Sequence, residues 1–137
     1  MNVGMSIGEE EKMGMKPRSN LSQSEKSFIA RALRYFTIRS VRIEWSGSTD
    51  KYPDIWVNRG AVPPVITVTQ EWAAQQFPER MKRIVHEMLH IKGFEHDRKL
   101  QYSTYPDKDM FSVRVYNDIM SGSRKFSASK FTRVVKK

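Results

Sequence analysis

The three histidines of the chain, His86, His90 and His96, all fall within one short segment. His86 and His90 are four residues apart, so in a helix their side chains project from the same face. The opposite face of that helix would be apolar, because hydrophobic residues recur there at helical spacing: Met81, Ile84, Met88 and Ile91. The segment therefore predicts a helix with an apolar back and a front that carries two imidazoles.

A glycine after this helix would bring the third histidine into reach. Gly93 can adopt the left-handed backbone conformation that ends a helix and reverses the chain, so that His96 approaches His86 and His90. Three imidazoles leave one corner of a tetrahedral zinc ion open for water, and the carboxylate of Glu87 would take the proton of that water. The segment therefore predicts a Zn²⁺ site with three histidine ligands and Glu87 as general base.

The absence of cysteine limits what else can bind a metal. It excludes disulfides, thiolate zinc ligands and a cysteine nucleophile, so any metal must be bound through histidine or carboxylate groups. A fourth protein ligand such as Asp97 or Asp109 would close the site, and zinc would then stabilise a binding module instead of activating water. The sequence leaves both alternatives open.

The chain as a whole predicts one α+β domain. Residues 1–20 lack periodicity and are expected to form a flexible arm. Residues 21–137 are expected to form a single domain, with an upper part at 21–93 and a lower, C-terminal subdomain at 94–137. Alternating and β-rich runs predict a small twisted sheet of mostly three strands, at 41–45, 54–58 and 65–69. We expect this sheet to pack on an N-terminal helix and on the histidine helix.

Local signals indicate where the helices begin. Ser22 and Glu25 have the spacing of a capping box before an apolar stripe that runs to residue 36. Pro78 is typical of the first turn of a helix, which here would run to residue 91 or 92. An apolar segment follows at 110–120. A last short helix is expected to have an apolar face formed by Phe131, Val134 and Val135.

The net charge of +9 indicates which kinds of partner the chain could attract. Six basic residues follow Ser121 with no acidic residue among them, and a positive field favours acidic partners, including weak association with nucleic acid. A soluble surface with a basic tail explains the same charges. No stretch reaches the length of a membrane span, and acidic residues at 9–11 stand where a secretory signal needs an apolar run. The sequence predicts a cytoplasmic monomer that does not enter a membrane.

The run HExxHxxGxxHD at 86–97 resembles the signature of the metzincin clan of zinc endopeptidases. Asp97, directly after the third histidine, is especially similar to the reprolysin/adamalysin branch. The predicted order of helix, sheet, active-site helix and C-terminal subdomain is similar to that clan as well. The resemblance implies hydrolysis of peptide bonds in peptide or protein substrates, with Glu87 passing its proton to the leaving amine. It covers 12 residues closely, in a chain far shorter than most metzincins.

Metzincins also have a methionine in a tight turn beneath the zinc ion. The segment 118–122 is similar to that turn, so the resemblance implies Met120 as the candidate. The alternative is that residues 107–120 form a helix, capped by Gly122, with Phe111, Val115 and Ile119 as its core face. Met110 is then the other candidate, or the turn is absent.

The resemblance also implies a substrate that lies extended against an edge strand, for which 54–58 is the candidate. A rival among enzymes is a DNA-associated protease similar to the SprT/Spartan group, which also uses HExxH and basic surfaces. The close third histidine, His96 after Gly93, argues against that group.

Overall fold

The computed structural model describes residues 17–47, 54–95 and 110–130. The helices in these ranges are α1 (Gln23–Phe36), α2 (Gln70–Ala73), α3 (Phe77–Ile91) and α4 (Met110–Met120). The strands are β1 (Arg42–Trp45), β2 (Ile55–Asn58) and β3 (Val65–Val68), and a 3₁₀ turn covers Ala128–Lys130. The architecture is α+β, as the sequence predicts, and each predicted strand begins and ends within about one residue of its expected bounds. The apolar face predicted for the last short helix, formed by Phe131, Val134 and Val135, and most of the predicted arm lie outside the described residues.

The sheet is mixed, with β3 in its centre. β1 runs parallel to β3 and β2 runs antiparallel to it, so that Ile66 of β3 lies between Ile43 and Val57. β2 is therefore an edge strand of the described sheet, as predicted for 54–58, and β1 is the other edge. Exposed and half-buried side chains alternate along β1, because one face of the strand packs on the core.

α1 begins with the predicted capping box. Ser22 Oγ accepts a hydrogen bond from Glu25 N at 3.2 Å, and the Glu25 carboxylate accepts one from Ser22 N at 2.7 Å. That carboxylate is fully buried and also accepts hydrogen bonds from Arg18 Nη1 at 3.0 Å and Arg80 Nε at 2.8 Å. Because Arg80 belongs to α3, these charge-assisted contacts tie the start of α1 to the histidine helix.

The Glu25 cluster predicts an acid-sensitive contribution to stability. Burial raises the pKa of Glu25, but the hydrogen bonds from Arg18 and Ser22 lower it by more than burial raises it. The pKa therefore falls from 4.5 to about 2. A carboxyl group whose pKa is lower in the folded chain than in the unfolded chain stabilises the fold at pH values above its pKa in the unfolded chain. This stabilisation, about 3 kcal/mol at pH 7, is lost progressively as the pH falls from about 4.5 towards 2.

We therefore expect Glu25→Gln to lower the free energy of unfolding by about 2–3 kcal/mol at pH 7, because Arg18 and Arg80 lose a buried anion. Urea unfolding should show a difference from the wild type of only about 1 kcal/mol at pH 3. Glu44→Gln is the control, because Glu44 pairs with Arg42 at the surface, and it should change stability by less than about 0.5 kcal/mol. A Glu25 effect that is equal at both pH values would contradict the buried ion pair.

α3 lies at the centre of the core. It packs against α1, α4 and β2, and its residues Ile84, Val85 and Met88 are fully buried. Neighbouring elements cover both sides of the helix, so His86 and Glu87 are buried as well, at 3% and 5% exposed. In the described parts of the chain, no helix has the length and apolar character needed to cross a membrane.

Candidate metal centre

The imidazoles of His86 and His90 converge on one point. Their Nε2 atoms lie 3.2 Å apart, and the two rings are nearly perpendicular, with an interplanar angle of 82°. Two nitrogen ligands at 2.0–2.1 Å from a tetrahedral zinc ion are separated by about 3.3–3.4 Å. The separation of these Nε2 atoms therefore fits a shared zinc ion.

The other ring nitrogens are held by hydrogen bonds. His90 Nδ1 donates to the carbonyl oxygen of Phe94 at 2.8 Å, and His86 Nδ1 lies 3.1 Å from the hydroxyl of Ser112 on α4. Histidines that bind metals commonly make such a contact through the second nitrogen, which fixes the orientation of the ring. Both imidazoles are thus held with Nε2 directed at the same point.

The turn after α3 brings the Phe94 carbonyl to His90. Gly93 has φ +99°, and the backbone N–H groups of Gly93 and Phe94 donate to the carbonyls of His90 and Leu89, which is a Schellman motif. Among the described residues, a Cβ atom at Gly93 would meet nothing within 4 Å, so the positive φ, and not a lack of space, favours glycine here. Gly93 therefore has the left-handed conformation predicted from the sequence, and α3 ends at Ile91, just before it, as predicted.

A side chain from the sheet also holds this turn. Arg59 directly follows β2, and its Nη1 donates to the carbonyl oxygen of His90 at 2.8 Å. The same guanidinium group forms an ion pair with Glu95. The end of the edge strand is thus fastened to the end of the histidine helix. No pattern in the sequence predicts this contact of Arg59.

The third predicted ligand lies outside the described residues, as do Asp97 and Asp109. Within 17–47, 54–95 and 110–130, no group of three or more His, Asp or Glu side chains could hold a metal ion. His96 therefore remains a predicted ligand. The backbone of Phe94, two residues before His96, already contacts the His90 ring.

Met120 lies at the end of a helix and not in the predicted tight turn. Met120 is the last residue of α4 and is 46% exposed, so the prediction that it forms a turn beneath the metal is wrong. The alternative from the sequence is the one observed, because Phe111, Val115 and Ile119 are fully buried along one face of the helix. Met110, the other candidate, is the first residue of α4.

A hydrogen bond without a metal also fits the separation of 3.2 Å between the Nε2 atoms. The Phe94 carbonyl can only accept, so neutral His90 carries its proton on Nδ1 and its Nε2 atom would accept from His86. His86 Nδ1 would then accept from the Ser112 hydroxyl. With zinc on Nε2, the direction reverses and His86 Nδ1 donates to Ser112. Metal binding distinguishes the two arrangements.

Sequence reasoning missed Ser112, although a polar residue on the buried face of an apolar helix was a usable signal. Ser112 is 2% exposed. We expect Ser112→Ala to weaken zinc binding by about tenfold, because His86 loses the partner that orients it. A competition titration with a chromophoric chelator measures this affinity.

The control for Ser112→Ala is Ile119→Val, which also trims the buried face of α4 and should cost a similar stability of about 1 kcal/mol. Zinc affinity should be unchanged in this variant. Equal zinc affinities in the Ser112 variant and the wild type would show that the serine does not position His86.

No protein-family model, no curated protein and no solved structure matches the chain at a significant level.

Proposed function

We propose that the chain is a small zinc-dependent endopeptidase of the metzincin type, with His86, His90 and His96 as zinc ligands and Glu87 as general base. The observation that carries the proposal is the convergence of the two Nε2 atoms, 3.2 Å apart, on rings whose Nδ1 atoms are both engaged. The spacing of His96 after Gly93 supplies the third ligand in the proposed site.

A bound zinc ion would supply the Lewis acid that polarises a scissile carbonyl and activates water. Glu87 directly follows His86 on α3 and is 5% exposed. In the proposed reaction its carboxylate takes a proton from the attacking water and gives it to the leaving amine. A cation on the neighbouring imidazoles would also attract the carboxylate of Glu87.

The proposed substrate is an extended peptide that pairs with β2 by β-augmentation. β2 is an edge strand, and Arg59 connects its end to the His90 carbonyl at 2.8 Å. A peptide on this edge would therefore run towards the end of α3 that carries His90.

One observation favours a second candidate, a zinc-stabilised binding module without catalysis. His86 and Glu87 are 3% and 5% exposed, and burial of this extent is typical of a closed structural site. In this arrangement a carboxylate such as Asp97 or Asp109 would take the fourth position.

Zinc analysis combined with a peptide-library digest tests the proposal. The endopeptidase should bind about one zinc ion per chain, cleave internal peptide bonds, lose activity with a chelator and recover it when zinc is restored. Stoichiometric zinc without cleavage would favour the binding module, and absence of zinc binding would refute both candidates.

A further inference from the structure

The positive charge of the chain is concentrated in two segments. Residues 26–43 and 119–137 contain 11 of the 24 Lys and Arg residues and none of the 15 Asp and Glu residues. The rest of the chain has 13 basic and 15 acidic residues, so these two segments account for all of the net charge of +9. They are far apart in sequence, and only the fold can join them.

The structure brings the described parts of these segments into contact. Arg31 Nη2 on α1 donates to the carbonyl oxygen of Ile119 at 2.6 Å, and the backbone N–H of Phe126 donates to the carbonyl oxygen of Tyr35 at 2.7 Å. The ring of Phe126 also packs on that of Phe36, with centroids 5.2 Å apart. Residues 119–126 therefore run against the C-terminal half of α1.

Three exposed cations are close in the chain to this contact, and a fourth lies three residues after α1. Two directly precede Phe126 in the chain, one precedes Tyr35 on α1, and one follows the end of that helix. Consecutive Cα atoms are about 3.8 Å apart, which keeps the first three within a few residue lengths of the hydrogen bond between Phe126 and Tyr35. We call this set the cationic surface, formed by Arg34, Arg39, Arg124 and Lys125.

No carboxylate of the described residues neutralises the cationic surface. Its members take part in none of the ion pairs found among those residues. The nearby carboxylate of Asp118 is already engaged by Lys130 at 2.9 Å, Tyr35 at 2.7 Å and Ser123 at 2.7 Å. The dipole of α1 favours a cation in its last turn, which explains Arg34, but the other three members lie outside helices.

We propose that the cationic surface binds the phosphate backbone of double-stranded nucleic acid without sequence selection. Lys and Arg that neutralise phosphates release condensed counterions, which gives affinity that depends steeply on salt. Proteins that bind single strands add exposed aromatic side chains on which bases stack. The aromatic ring at this contact, that of Phe126, packs on Tyr35 and Phe36 instead of facing solvent as a stacking platform, so the surface suits a duplex better than a single strand. This proposal does not depend on the zinc site.

Fluorescence anisotropy with a short labelled DNA duplex, at increasing salt, tests the cationic surface. We expect the wild type to bind with a Kd of about 10⁻⁴–10⁻⁶ M. The double variant Arg124→Gln/Lys125→Gln should bind at least about tenfold more weakly, and its slope of log K against log salt should be smaller by about 2. Unfolding curves check that the exposed substitutions leave the fold intact.

The matched control is Lys92→Gln/Arg114→Gln, which removes two exposed cations outside the two segments. Retention of wild-type affinity by the control supports the cationic surface. Equal weakening in both double variants would show that only net charge matters and would overturn the proposal. The proposal also fails if the wild type does not bind the duplex, or if it binds phosphatidylserine vesicles and not DNA.

Discussion

Replacing Glu87 with glutamine is expected to lower kcat by about 10²–10⁴-fold while zinc content stays near one ion per chain. Glutamine keeps the size of the side chain at a position that is 5% exposed, so the packing around α3 should be retained. It cannot accept and release the proton of the attacking water. Activity on a peptide found in the library digest and zinc content on the same preparation measure the two quantities.

Glu79→Gln provides the matched control for Glu87. Glu79 lies in the first turn of the same helix, two turns from Glu87, and pairs with Lys82 at 3.3 Å. This change of acid to amide should leave kcat within about twofold of the wild type, because Glu79 is about 12 Å along the axis from Glu87. Loss of zinc from the Glu87 variant would instead assign that carboxylate a structural role, and unchanged activity would exclude it as the base.

His90→Ala is expected to weaken zinc binding by at least about 100-fold. Zinc binding to small protein sites is worth about 10 kcal/mol or more, so one of three ligands contributes roughly 3 kcal/mol. The variant also loses the hydrogen bond from Nδ1 to the Phe94 carbonyl, which costs about 1 kcal/mol of stability. Isothermal titration with zinc measures the first effect, and unfolding without metal measures the second.

Lys92→Ala is the control for His90→Ala. Lys92 is exposed and follows α3 directly, and its substitution should leave zinc affinity unchanged. Zinc should raise the unfolding temperature of the wild type and of this control, but not of the His90 variant. If His90→Ala bound zinc with wild-type affinity, the assignment of His90 as a ligand would be wrong.

Much of the fold was predictable because local signals and burial agree. The capping box of Ser22 and Glu25 begins α1, and Pro78 lies in the first turn of α3. The β-rich runs correspond to β1, β2 and β3. Strand order and direction were not predicted, because pairing depends on contacts distant in sequence that no local pattern specifies. The partial burial of Arg18 and Arg80 around Glu25 was not predicted either, because it also depends on contacts distant in sequence.

The candidate site was predictable only along α3. Helical spacing alone places His86 and His90 together, and Gly93 ends the helix as expected. Ser112 and Arg59 come from α4 and from the end of β2, so their contacts with the histidines follow from tertiary packing. Met120 ends α4 instead of forming the turn that the metzincin resemblance implies, because burial of the apolar stripe of α4 decides the conformation of this segment.

The coordination of zinc in a crystal structure of the metal-loaded protein tests the central proposal most directly. The ion should be bound by the Nε2 atoms of His86 and His90 and by the imidazole of His96 at about 2.0–2.1 Å, with a water molecule as the fourth ligand. A carboxylate in the fourth position, or an ion that does not contact all three imidazoles, would contradict a catalytic zinc site in this protein.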